Sequence, residues 1–213
     1  MLSARAALEV LREGNRRFVS TLQVESGESG AARARRRELP AAQEPLAIIL
    51  GCSDARVPAE IVFDQGLGDL FVIRVAGNIV APSQVGSVEF AAEAFGTRLV
   101  VVLGHSSCGA IHATLQQLAR PRREQSRNLA SIVNRIRPAV EGLLERGPPH
   151  DPQLLEQQAV RANIRMSANH LRHGSEVLEQ LIQNDGLLVV GAEYSLETGV
   201  VDFFDGVPGA LAR

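Results

Sequence analysis

Cys52, Asp54 and Arg56 alternate in the stretch CSDARVPAE, directly after the apolar run PLAIIL, and a second pair, His105 and Cys108, closes the run RLVVVLGHSSCGA. A buried strand that ends in ionisable groups must find each of them a partner or present them to a ligand. Two thiolates and an imidazole are a zinc set, and three protein ligands leave the fourth tetrahedral position for water or substrate. The H-x-x-C spacing puts His105 and Cys108 on one strand-to-helix turn. Gly109 just after, like Gly51 and Gly104 before the first ligand of each cluster, lets backbone approach a metal closely. Asp54 can then accept a hydrogen bond from a metal-bound hydroxide, with the fork of Arg56 fixing the carboxylate and keeping it ionised.

Taken one at a time these residues have plainer readings. A cysteine after an apolar run is usually core, a histidine at a strand end is usually hydrogen-bonded and inert, and an exposed Asp–Arg pair contributes only about 0–1 kcal/mol. The argument for a metal rests on convergence. In open parallel sheets the ligand crevice lies beyond the carboxyl ends of the strands, and both cysteines of the chain, with one of its five histidines, fall there.

The elements that must position them are four nearly continuous apolar runs, 45–51, 70–77, 98–105 and 186–194. Such runs suit strands buried on both faces. Helical stretches separate them, notably SQVGSVEFAAEAFG, GAIHATLQQLA and the region 128–184, so the fold class is α/β with a mostly parallel sheet flanked by helices. The run VVDFFD follows SLETG closely enough to be an antiparallel edge partner of the fourth strand. Residues 3–20 form an amphipathic helix with Ser3 as a cap and Ala7, Leu8, Leu11 and Phe18 at helical spacing. The division expected is an N-terminal helical arm and excursion over 1–40 and an α/β catalytic domain over 41–213. The arm has little of its own to pack against, so it is expected to lie across a second copy, with a homodimer as the minimal unit and a dimer of dimers compatible with it.

At 213 residues and 45% hydrophobic content the chain can bury one sizeable core, and its formal charge of −2 gives no reason to expect a nucleic acid or membrane partner. The basic cluster Arg33 to Arg37 lacks interleaved aromatics and reads as a solvated face or partner contact. There is no apolar block of transmembrane or signal-peptide type, and two cysteines make a disulfide framework unlikely for this size, so a cytoplasmic protein with reduced thiols is expected.

CSDARVPAE, DQGLGDLFVIRVAGN, GSVEFAAE and LGHSSCGAI together resemble a β-class carbonic anhydrase. The likeness is specific from Gln43 to Ile111 and weaker over LREGNRRFV and VVGAEYSLETGVVDFFD. It implies a zinc enzyme that hydrates carbon dioxide reversibly to bicarbonate and a proton, with Cys52, His105 and Cys108 as metal ligands and Asp54 and Arg56 as the catalytic dyad. Zinc would make hydroxide available near neutrality, and hydroxide would attack CO₂ in an apolar pocket. Val57, Ile79, Phe71, Phe90 and Gly109 are candidates for that pocket. The resemblance also places Gln43 toward substrate oxygen, as in one subgroup, and leaves Phe90 where that subgroup commonly has Tyr. Members whose dyad carboxylate closes onto zinc hold a bicarbonate with Trp, Arg and Tyr; Arg74 and Tyr194 match two of these, but Ile49 stands at the Trp position and the chain has no Trp. Hydrolysis of carbonyl sulfide or carbon disulfide on the same ligands is an alternative, as is a noncatalytic zinc-stabilised dimeric module. His112, His150, His170 and His173 are candidate proton acceptors.

Overall fold

The computed structural model describes residues 2–22, 43–119, 126–145 and 151–209. The boundary expected near residue 40, the basic cluster at 33–37 and His150 lie outside the described residues.

Five strands form one sheet in the order β2-β1-β3-β4-β5: β1 (Ala47–Gly51), β2 (Leu70–Arg74), β3 (Leu99–His105), β4 (Leu188–Tyr194) and β5 (Val201–Asp205). The first four are parallel and β5 pairs antiparallel with β4, as the apolar runs predict. Every residue of β1 and β3 is buried, which explains their lack of alternation: both faces are covered. From β1 the chain crosses outward through α2 (Ala59–Val62) to β2, and then returns through α3 (Pro82–Ala94) to place β3 on the other side of β1. The carboxyl ends of β1 and β3 therefore lie side by side while the loops leaving them diverge, and this opens a crevice between the two.

One face of the sheet packs against α3, α4 (Gly109–Ala119), α5 (Arg127–Glu145), α6 (Pro152–His173) and α7 (Glu176–Asn184), around Ile48, Val100, Val102, Ile136 and Ile164. The expected helical region 128–184 is thus three helices. Asp151 caps α6 through Gln153 N at 2.9 Å, and Ser175 caps α7 through Leu178 N at 3.2 Å.

The other face carries α1 (Ala4–Leu22), whose first turn is closed by Ser3 Oγ accepting from Ala6 N at 3.3 Å. The expectation that α1 has little in its own chain to pack against is corrected here. Ala7, Leu8 and Leu11 are buried in a cluster with Ile49, Val62, Phe63, Val101 and Val190. Gly14 makes the fit possible, because a Cβ there would come within 1.7 Å of the Phe63 carbonyl oxygen. Asn15, 6% exposed, is the polar pin: its Nδ2 donates to Val62 O at 3.1 Å and Gly199 O at 3.0 Å, and its Oδ1 accepts from Val201 N at 3.0 Å.

Asn15→Ala leaves these three buried backbone groups without that partner. At about 1–3 kcal/mol for a buried group left unsatisfied, with some relaxation, the expected cost is about 3 kcal/mol. For a chain of this size that lowers the melting temperature by about 6–12 °C. Thermal unfolding at one fixed protein concentration measures it, and a change under about 2 °C would remove Asn15 as the pin of α1.

Candidate metal centre

Cys52 follows β1 directly, His105 ends β3 and Cys108 stands one residue before α4. Sγ of each cysteine and a ring nitrogen of His105 all lie within 4.8 Å of one another, and all three residues are buried. Tetrahedral zinc at about 2.3 Å from sulfur and about 2.0–2.1 Å from nitrogen needs ligand atoms roughly 3.5–3.8 Å apart, so the set has the right compactness. His105 shows which nitrogen faces the centre. Its Nδ1 lies 2.9 Å from the Ser106 carbonyl, to which it donates, so Nε2 presents a lone pair. That Nε2 is buried and, among the described residues, has no hydrogen-bond partner. An orphaned acceptor beside two sulfurs is what a metal would satisfy, and the donor set fits a borderline-soft divalent ion such as zinc.

The Cys108 thiol hydrogen-bonds Cys52 and lowers it to about 4, with His105 and the backbone of Gly77 and Asp54 adding to the effect against the opposing pull of burial. The same bond, with burial, pushes Cys108 up. For His105, burial alone would lower the imidazole, but the neighbouring Cys52 sulfur and the Ser106 carbonyl outweigh it and raise the ring. Gly77 N–H donates to Cys52 Sγ at 3.3 Å, a contact that the sequence reading missed.

Asp54 is turned to Arg56. Arg56 Nε donates to Oδ1 at 2.9 Å, Nη2 donates to Oδ2 at 2.7 Å, and the Arg56 backbone N–H adds a bond to Oδ1 at 3.0 Å. These bonds hold the carboxyl well below the usual carboxylate range. Oδ2 also lies 3.8 Å from His105 Nε2, so the carboxylate borders the space between Cys52, His105 and Cys108. Arg74 braces the same loop through its backbone: Nε donates to Cys52 O at 2.9 Å and Nη2 to Asp54 O at 2.6 Å. Ile49 and Tyr194 are both buried on the α1 side of the sheet.

The glycines divide. A Cβ at Gly104 would come within 2.5 Å of Ile164 Cδ1, so crowding does require glycine before His105. Gly51 meets its neighbours at an ordinary 3.9 Å, and a Cβ at Gly109 would meet nothing within 4 Å, so crowding by this chain explains neither.

Other sequence candidates lie away from the Cys52, His105 and Cys108 group within one chain. Phe71 pairs in register with Ile48, four residues and so about 13 Å back along β1 from Cys52, and with Phe90 and Phe95 it forms an aromatic group at ring separations of 5.5–6.3 Å. Phe90 is 54% exposed, and Gln43, also exposed, precedes the far end of β1. Val57 is buried on the α1 side, whereas Ile79 packs in the same cluster as Cys52 and Cys108. Beside the dyad opens a cleft of 950 Å³ whose walls include Arg56, Ser106, Ser107, Arg161, Glu193 and Leu196. His112, His170 and His173 are exposed.

The carbonic anhydrase family model matches residues 47–201. The chain is 37% identical to carbonic anhydrase 2 of Mycobacterium tuberculosis, across 91% of this chain and 89% of that one. It is 35% identical to the carbonic anhydrase of Mycolicibacterium smegmatis, across 92% and 91%. Among solved structures, the β-carbonic anhydrase CcaA is 25% identical with a TM-score of 0.71, covering 90% of this chain and 95% of that one. The fold of one of two tetrameric β-carbonic anhydrases from Sordaria macrospora superposes with a TM-score of 0.73 at 20% identity, over 92% and 96%.

Cys108→Ser replaces a soft thiolate by a hydroxyl that stays protonated, and should lose the metal. Elemental analysis of the purified variant should find under about a tenth of an equivalent of zinc, where an affinity fall of two decades or more is expected for a lost ligand. A full zinc complement in the variant would remove Cys108 from the set. The matched region, the buried Cys/His/Cys group and the relatives together lead to one statement: the chain belongs to the β class of the carbonic anhydrase family.

Proposed function

We propose that the protein catalyses the reversible hydration of carbon dioxide to bicarbonate and a proton, with one Zn²⁺ held by Cys52, His105 and Cys108. The observation that carries this reading is the orphaned Nε2 of His105, enclosed with two thiols and bordered by a carboxylate that Arg56 grips at both oxygens. Zinc, when bound, supplies a Lewis acid that lets water ionise near neutrality. Asp54 accepts a hydrogen bond from the attacking oxygen at Oδ2 and directs its lone pair at the carbon of CO₂. Because Arg56 keeps Asp54 ionised, the carboxylate stays an acceptor and takes no proton of its own across the neutral range. The attack forms one C–O bond, opens one C=O bond to an oxyanion, and yields bicarbonate; the proton passes to solvent through a group among His112, His170 and His173 or through water.

Ile79, packed beside the ligating cysteines, is the apolar wall within the chain, and the open space at Gly109 admits substrate. Val57, Phe71 and Phe90 complete the pocket, and Gln43 meets substrate oxygen. The exposure of Gln43 and Phe90, and their distance from the ligands of their own chain, support their acting at the site of a second copy in a homodimer. Pairs of such dimers would give a tetramer, the assembly of the two Sordaria macrospora β-carbonic anhydrases. Two reduced ligand thiols support a cytoplasmic location.

Stopped-flow CO₂ hydration with zinc-loaded protein tests the reading; rapid turnover is expected, lost on chelation with the fold retained. A zinc-loaded chain inactive on CO₂ but active on carbonyl sulfide would overturn it.

Arg56→Lys keeps the charge but loses the planar fork. With Asp54 no longer held at two points, kcat/KM should fall about 10- to 100-fold at unchanged zinc content. Wild-type rates in a zinc-replete sample would reduce the pair to a surface contact.

Both oxygens of Asp54 are engaged by Arg56, and the guanidinium of Arg74 is committed to the Cys52 and Asp54 carbonyls. The carboxylate therefore stays off the metal, and the rate should fall with a single ionisation as pH drops. A pH–rate profile demanding two or more cooperative protons would show that Asp54 closes the site.

A further inference from the structure

Helix α6 carries none of the three ligands, yet its buried face presses on the backbone that holds two of them. Most of that face is apolar, with Ala159, Val160, Ile164, Ala168 and Leu171 buried. Asn163 and Ser167, one turn apart and 1% and 4% exposed, interrupt it. A buried amide or hydroxyl is costly unless it is hydrogen-bonded. Both of these bond to one short turn. Asn163 Nδ2 donates to the Gly77 carbonyl at 2.8 Å, and Ser167 Oγ donates to the Asn78 carbonyl at 3.0 Å.

That turn, Ala76–Asn78, has two successive residues in left-handed conformation, Gly77 at φ 72° and Asn78 at φ 42°. Such backbone persists at a residue other than glycine only where its surroundings hold it. Here a wall stands on one side, since a Cβ on Gly77 would come within 2.8 Å of Ile136 Cδ1, and the two α6 donors stand on another. The outcome is the bond from Gly77 N–H to Cys52 Sγ at 3.3 Å. Between the two donors, Ile164 packs on Gly104, the residue before His105.

We propose that Asn163 and Ser167 are positioning residues of the metal centre: by fixing the 76–78 turn they keep Gly77 N–H aimed at the Cys52 sulfur, and so set how that thiolate holds its metal. An N–H directed at a thiolate withdraws charge from the sulfur and fixes its direction; partners of this kind behind metal ligands typically matter about 10- to 100-fold in affinity. The proposal rests on reading Cys52, His105 and Cys108 as metal ligands, and its test separates the two.

The full-length chain, Ser167→Ala and Asn163→Leu are loaded with Co²⁺, whose thiolate-to-metal charge-transfer band reports the energy of the sulfur lone pair. Zinc affinity is measured by competition with a chromophoric chelator, and folding by thermal unfolding. In both variants the band should move to longer wavelength, because a sulfur that has lost its donor gives up an electron more readily. The zinc dissociation constant should rise about 10-fold in Ser167→Ala and toward 100-fold in Asn163→Leu. A variant that melts lower but keeps the wild-type band and zinc affinity overturns the proposal, since the two side chains would then only satisfy buried carbonyls. Ser167→Ala removes a single oxygen and decides the matter if Asn163→Leu does not fold. A wild-type chain that takes up neither Co²⁺ nor Zn²⁺ overturns the metal reading and the proposal together, whereas normal loading with unaffected variants overturns the proposal alone.

Discussion

The adjacency of β1 and β3, with the chain leaving their carboxyl ends in opposite directions, is the constraint on which the rest depends. Gly51 stands opposite Leu103 in the pairing, so the residues just beyond each strand end lie on one rim: Cys52 from the first, His105 and Cys108 from the second. Parallel pairing requires a crossover after each strand, and two crossovers to opposite sides leave a gap between the two strand ends. A shift of either strand by one residue would turn its side chains to the other face and separate Cys52 from His105 and Cys108. The continuous burial of β1 and β3 is therefore part of the site, because it holds the register in place.

Placing a thiolate and a carboxylate two residues apart concentrates negative charge in a short loop, and two arginines manage it differently. Arg56 takes the carboxylate itself, bidentate, and its Nη2 also reaches the Ser107 carbonyl at 3.3 Å across the crevice. Arg74, at the end of β2, bonds the Cys52 and Asp54 carbonyls and so fixes the path of the loop. Lysine could satisfy neither task as well, since each uses two guanidinium nitrogens in a set plane.

Helix α6 is fastened to the sheet by charge as well as by packing. Arg161 bonds Glu193 Oε2 at 2.7 Å, pairs with Asp202, and lies over the Phe204 ring at 4.4 Å; about three turns further on, Arg172 bonds the Val189 carbonyl and Asp205. Both arginines tie the helix across β4 and β5, which have no helix between them and would otherwise form a free hairpin edge. The same helix carries Asn163 and Ser167, which bond the 76–78 turn.

Much of this was legible in the residues. The four apolar runs read as strands because both faces of the inner strands are buried, and the strand-end rule then placed Cys52, His105 and Cys108 on one rim. The Asp54–Arg56 pair was visible because two-residue spacing in a tight loop lets a guanidinium fold back onto a carboxylate. Local pattern stopped at partners. An amphipathic stripe says that α1 must bury one face, but not against what; Gly14 and Asn15, which settle it on the sheet beside Phe63, meet backbone 47 to 186 residues away in sequence. The same holds for Asn163 and Ser167, whose polarity on a buried helix face signals a partner without naming it, and for Gly77, whose N–H points at Cys52 only because its turn is gripped from a helix more than eighty residues on. The sequence by itself determined which side chains could bind a metal and which strands would carry them, since those are properties of residue type and short-range period; which backbone groups face the ligands was decided only by the tertiary structure, because backbone N–H and C=O are the same at every position and acquire direction from what packs around them.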